Sequence, residues 1–101
     1  MSSLRISLAQ INTTVGDFSG NSALILEMAR EAASLGADIV AFPELAICGY
    51  PPEDLLLRSS FIEESRIALE KLAVDARELP PLIVGSLDFD RHLYNLSLIH
   101  I

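Results

Sequence analysis

A helical stripe that closes on Gly36 is followed almost at once by a strand-forming run, Asp38-Ile39-Val40-Ala41-Phe42, and that run goes straight into Pro43. This juxtaposition restricts the fold more than any other feature of the chain. A short apolar run with no polar alternation reads as a strand covered on both faces. A strand reached from an earlier strand through a helix lies parallel to it, joined right-handedly.

The rest of the chain repeats the pattern. Leu4, Ile6 and Leu8 alternate with Arg5 and Ser7, so a first strand is expected within Leu4 to Ile11. Asn12 to Gly20 has the composition of a loop with helix-start chemistry, in which Asp17 can cap or sit at the positive end of the next helix. From about Asn21 to Leu35 the stripe is Leu24, Met28, Ala32 and Leu35, with Ile25 and Ala29 beside it. Gly36 stands where a left-handed residue ends a helix. Ser60-Phe61-Ile62-Glu63 fits a capping box. The helix it opens places Ile62, Leu69, Leu72, Ala73 and Ala76 on one face, and Pro80-Pro81 ends it. Leu82 to Ser86 is a third buried strand, Leu87 to Arg91 a polar turn, and Leu93 to Ile101 a fourth strand, antiparallel to the third. The expectation is an α/β fold with a mixed sheet and both helices on one face. The last strand has no turn, cap or polar tail after it, which is expected of the N-terminal portion of a longer chain.

Composition narrows the function classes. At 101 residues there is room for one core. A net charge of −7 argues against nucleic acid or an anionic membrane as partner, because both select clustered Lys and Arg. A single cysteine forms no internal disulfide, the N-terminus lacks the basic and apolar regions of a signal peptide, and no apolar stretch is bilayer-length. A cytoplasmic chain is expected. Phosphate-loop, dinucleotide, nucleophile-elbow and metal-ligand spacings are all missing from the sequence, so no metal site is expected.

Chemistry-bearing residues gather after the second strand, in Phe42-Pro43-Glu44-Leu45-Ala46-Ile47-Cys48-Gly49-Tyr50-Pro51-Pro52-Glu53-Asp54. Ligands of open α/β sheets bind beyond the carboxyl ends of the strands. Pro43 stiffens the exit and holds Phe42 extended. A carboxylate on such a turn, partly desolvated, has the raised pKa a general base needs, so Glu44 reads as a base. It reads equally as a cap or an ion-pair partner. Cys48, between Ile47 and Gly49 with no histidine near it in sequence, reads as a small buried hydrophobe rather than a nucleophile. Tyr50 can line a pocket or lie on apolar surface.

Two segments carry a family pattern. Ala9-Gln10-Ile11-Asn12-x-x-Val15-Gly16-Asp17-x-x-Gly20-Asn21 and Gly36-Ala37-Asp38-Ile39-Val40-Ala41-Phe42-Pro43-Glu44-Leu45 resemble the N-terminus of the nitrilase superfamily of carbon–nitrogen hydrolases. The continuation Cys48-Gly49-Tyr50-Pro51-Pro52-Glu53-Asp54-Leu55-Leu56 looks like the glutaminase domain of the glutamine-dependent NAD synthetase family. The resemblance implies the N-terminal portion of an α-β-β-α sandwich. It also implies a catalytic glutamate, lysine and cysteine following three successive strands. The glutamate matches Glu44. The lysine and the nucleophilic cysteine have no counterpart here, since neither Lys71 nor Cys48 matches, and the chain alone is expected to be inactive. Tyr50 resembles a tyrosine that lines the glutamine pocket. The implied partners are glutamine and a synthetase domain of the same longer chain that uses ATP and magnesium to amidate nicotinic acid adenine dinucleotide. That longer chain is expected to be a homo-oligomer.

The tail departs from the family pattern. Leu96-Ser97-Leu98-Ile99-His100-Ile101 is similar to translated sequencing-adapter read-through, which implies a non-native tail over 96–101. Two other readings stand beside the first. One is a superfamily amidase acting on dicarboxylic acid amides or carbamoyl amino acids, against which the Pro51-Pro52-Glu53-Asp54 run speaks. The other is a non-catalytic α/β binding module, against which the bare last strand speaks.

Overall fold

The computed structural model describes residues 3–43, 46–49, 59–89 and 93–100. The elements run β1 (Ile6–Leu8), α1 (Phe18–Ser34), β2 (Ile39–Ala41), α2 (Ser59–Asp75), β3 (Leu82–Phe89) and β4 (Leu93–His100). The four strands form one sheet in the order β1-β2-β3-β4. β1 pairs parallel with β2, β2 parallel with β3, and β3 antiparallel with β4. The mixed sheet and its two helical crossovers are those expected.

Local chemistry sets both ends of α1. Asp17 is the N-cap, and its carboxylate accepts from the Gly20 amide at 3.1 Å. The helix therefore starts at Phe18, a turn earlier than the apolar stripe indicates. At the other end Ala37 N–H donates to Ala32 O and Gly36 N–H to Ala33 O, each at 3.0 Å, with Gly36 at φ +87°. This is a Schellman stop, and it needs the left-handed residue that the sequence supplies. Asp38 then ties β2 back to β1: its carboxylate accepts from the Arg5 amide, and its own amide donates to Arg5 O, both at 2.8 Å.

The stripe itself is turned from its expected line. The buried residues of α1 are Asn21, Ile25, Ala29 and Ala32, spaced four, four and three apart, while Leu35 is 71% exposed. On α2 the buried line is Phe61, Ser65 and Leu72, continued by Ala76 just past its end. Ile62, Leu69 and Ala73 are only partly covered. The hydroxyl of Ser65 is fully buried and has no hydrogen-bond partner among the described residues. Phe18 and Phe61 join the starts of the two helices, their ring centroids 5.2 Å apart.

The capping box at Ser60 is corrected. The helix begins at Ser59, and the Glu63 carboxylate accepts from Nε and Nη2 of Arg66, whose Nη1 donates to Glu70. An i,i+3 and i,i+4 pairing offers Glu63 a charged donor that a backbone amide does not match. The Arg66 hydrogen bonds hold the Glu63 carboxyl below its ordinary range. The turn expected over Leu87 to Arg91 is corrected as well. Leu87, Asp88 and Phe89 belong to β3 and face Asn95, Tyr94 and Leu93 of β4. Leu96 to His100 pair with Ser86 back to Leu82.

The helices lie on the face of the sheet that carries Val40, Leu82 and Val84, exposed by 0%, 2% and 3%. β1 turns its apolar side chains the other way. Leu4, Ile6 and Leu8 are 63%, 56% and 77% exposed, and register puts Ile6 beside Ile39 and Leu8 beside Ala41 on the open face. Both faces of this sheet are apolar, and the described residues cover one of them.

Candidate functional site

The site region is the pair of loops leaving the carboxyl ends of β1 and β2. Hydrogen bonds keep the sheet in register up to the exit. Ala9 N–H donates to Ala41 O at 2.8 Å, Val40 N–H to Pro81 O at 3.0 Å and Phe42 N–H to Ile83 O at 3.0 Å. Phe42, just past β2, is thus still anchored to the sheet, and exposed Pro43 follows it. Glu44 and Tyr50, the expected base and pocket tyrosine, lie outside the described residues. Between them, Ala46 to Gly49 are described.

That segment is buried and clasped to the loop after β1. Ala46, Ile47 and Cys48 are all 0% exposed. Gly16 N–H donates to Cys48 O at 2.9 Å. The Asn21 carboxamide reaches both loops from the first turn of α1. Its Nδ2 donates to Thr14 O at 2.9 Å and to Ile47 O at 3.2 Å, and its Oδ1 accepts from Thr14 N–H at 2.9 Å. Gly49 closes the clasp by direct contact. It sits at φ +86°, and a Cβ there would lie 2.6 Å from Val15 Cα and 2.7 Å from the Thr14 carbonyl carbon. Only glycine fits a left-handed residue pressed on another backbone. The sequence places Asn21, Gly16 and Gly49 in the family pattern without indicating that they meet. A polar residue in line with Ile25 and Ala29 was the available signal for Asn21.

Cys48 is placed as a buried side chain, as its sequence neighbours indicate. Its Sγ donates to Gly49 O at 3.5 Å, and burial pushes its thiol up to about 11 from an ordinary 9.0. A thiol in that state is a poor nucleophile near neutrality. At pH 8 this shift alone lowers the thiolate fraction about 100-fold. Alkylation of Cys48 in the native full-length protein, followed by peptide mass spectrometry, is therefore expected to be at least that much slower than after denaturation. Equal rates would mean that the clasp opens freely. The folded thiol keeps its proton where the unfolded one has lost it, so this contribution to stability is complete below pH 9.0 and lost as pH rises towards about 11. Lys71 is exposed on α2, in a groove between the helices lined also by Phe18, Leu26, Ile67 and Asp75. Among the described residues no group of three or more His, Cys, Asp or Glu is placed to hold a metal ion. No helix among them is long and apolar enough to cross a membrane.

Comparison with known proteins matches this arrangement along nearly the whole chain. The carbon–nitrogen hydrolase family model covers residues 5–98. The chain is 46% identical over 98 residues to the glutamine-dependent NAD(+) synthetase of Thermotoga maritima and 41% identical over 99 residues to that of Aquifex aeolicus. Each alignment covers 96% of this chain and 17% of the relative, so the chain spans about a sixth of the curated relatives' length. A crystal structure of a glutamine-dependent NAD(+) synthetase from Cytophaga hutchinsonii superposes with a TM-score of 0.89 at 28% identity, over 97% of this chain and 17% of that one. An amidase from Nesterenkonia sp. shares the fold at a TM-score of 0.73 and 23% identity, over 96% of this chain and 38% of its own. The parallel strands, the loops clasped at their carboxyl ends and the match over 5–98 together place the chain in the carbon–nitrogen hydrolase family.

Proposed function

We propose that this segment is the base-bearing N-terminal part of a glutaminase domain, in a protein that uses glutamine nitrogen to amidate nicotinic acid adenine dinucleotide. One observation carries the reading: relatives named glutamine-dependent NAD(+) synthetase match 96% of the chain at 41–46% identity. The clasped loop supports it, because Glu44 stands two residues before the fixed segment Ala46–Gly49 and Tyr50 directly after it.

Glu44 takes the proton of a cysteine thiol supplied from elsewhere in the full-length protein, and the thiolate attacks the side-chain amide carbon of glutamine. A lysine, also from elsewhere, stabilises the oxyanion. The proton on Glu44 goes to the leaving ammonia. Glu44 then deprotonates the water that cleaves the thioester and releases glutamate. Tyr50 lines the glutamine pocket. ATP and magnesium belong to the synthetase domain and not to this segment. The full-length protein acts as a cytoplasmic homo-oligomer.

The test compares the two lengths of chain. The 101-residue chain is expected to release no ammonia from glutamine above the blank, with or without Cys48→Ala, while the full-length protein forms NAD with glutamine as nitrogen source. Ammonia release by the short chain that disappears in Cys48→Ala would overturn the assignment. So would a full-length protein with no glutaminase activity.

A further inference from the structure

We infer that Asn21 is a positioning residue for glutamine cleavage, its buried carboxamide fixing the loop in which Glu44 and Tyr50 stand. The inference rests on the role proposed for Glu44. Asn21 is 1% exposed and makes three hydrogen bonds, all to backbone and none within its own helix. Two go to Thr14 in the loop after β1, and the third goes to Ile47 O in the loop after β2. One side chain therefore holds the helix and both loops in a single arrangement. The task needs two donors and an acceptor without charge, which only a carboxamide supplies. An aspartate would set a carboxylate against two carbonyl oxygens, and a serine has one proton to give. Ile47 is three residues from Glu44, so the anchor lies within about 11 Å of contour from the base. Pro43 on the other side removes freedom between the sheet and Glu44. The described residues on either side of Glu44 are thus held, Phe42 by the sheet and Ile47–Gly49 by Asn21, Gly16 and Val15.

A displacement of about 1 Å at a reacting group can cost about 10²-fold in rate. In the full-length protein Asn21→Ala is expected to lower glutamine-dependent kcat by about that factor. KM for glutamine should change less, and the ammonia-dependent rate should stay at the parent level. Asn21→Ser keeps one hydroxyl proton to give, loses the other two hydrogen bonds, and is expected to fall between the parent and Asn21→Ala. It decides the question if Asn21→Ala does not fold. Ile25→Val, one turn further along α1 in the same core, serves as a control that lowers the melting temperature and leaves both rates unchanged.

Full glutamine-dependent kcat in a folded Asn21 variant overturns the inference, as does equal loss of the glutamine and ammonia rates. Glu44→Gln separates the two claims. If it abolishes the glutamine rate while the Asn21 variants keep it, only the positioning role fails. If Glu44→Gln keeps the glutamine rate, the base assignment fails and takes this inference with it.

Discussion

Glu44→Gln in the full-length protein is expected to remove glutamine-dependent NAD formation almost entirely while leaving ammonia-dependent formation intact. Glutamine is close to isosteric with glutamate, so the loop retains its packing. The amide cannot accept a proton, and the nucleophilic cysteine stays a thiol. A positioned general base contributes about 10²–10⁴-fold to a single step. On the proposed mechanism Glu44 acts in acylation and again in thioester hydrolysis, so the loss belongs at the upper end of that range. On the proposed function, free ammonia enters the synthetase reaction without passing through the glutaminase site. The contrast between nitrogen sources is therefore diagnostic, since a destabilised protein loses both activities. Parallel rates for the two sources, whether both low or both normal, would make Glu44 a structural residue.

Parts of this architecture were legible in the sequence because they depend on neighbours in the chain. Asp17 caps and Gly36 stops α1 through contacts with residues three to five positions away. Both resemble helix ends in any chain. Glu44 was singled out by its position after a strand and a proline, but position alone left base and structural roles equal. The family pattern favours the base, which is the role proposed for it. What depends on contacts distant in sequence was not legible. Asn21 acts on Ile47, 26 residues away, and a hydrophobic count treats it as an interruption of the stripe. Glu63 had a plausible backbone partner by spacing, and the arginine three residues on displaced it. Asp88 made its surroundings look like a turn, yet its pairing with Tyr94 keeps it in β3. The alternation of β1 gave two faces correctly without indicating which one the helices would cover.

That face of β1 leads to the second large expected effect. Leu4, Ile6 and Leu8 stand on the open side of the sheet, each more than half exposed, next to Ile39 and Ala41. Fully burying a Leu or Ile side chain contributes about 1.5–3 kcal/mol, so covering these three offers roughly 3–6 kcal/mol. A patch of that kind does not stay solvated on a soluble domain. The isolated 101-residue chain is expected to self-associate at micromolar concentration and to enhance the fluorescence of a hydrophobic dye, both read beside sedimentation velocity. Ile6→Lys with Leu8→Lys should return it to monomer and suppress dye binding, because neither side chain belongs to the core beneath α1 and α2. In the full-length protein the same pair of substitutions should act in the opposite sense. There the family sandwich sets a second sheet against this face, and two buried ammonium groups without partners would lower the melting temperature steeply. Improved solubility of the short chain together with loss of stability in the long one is the signature of a face made to be covered. A short chain that sediments as a monomer, melts cooperatively and ignores the dye would mean that the open face is stable in water and that this part of the assignment is wrong.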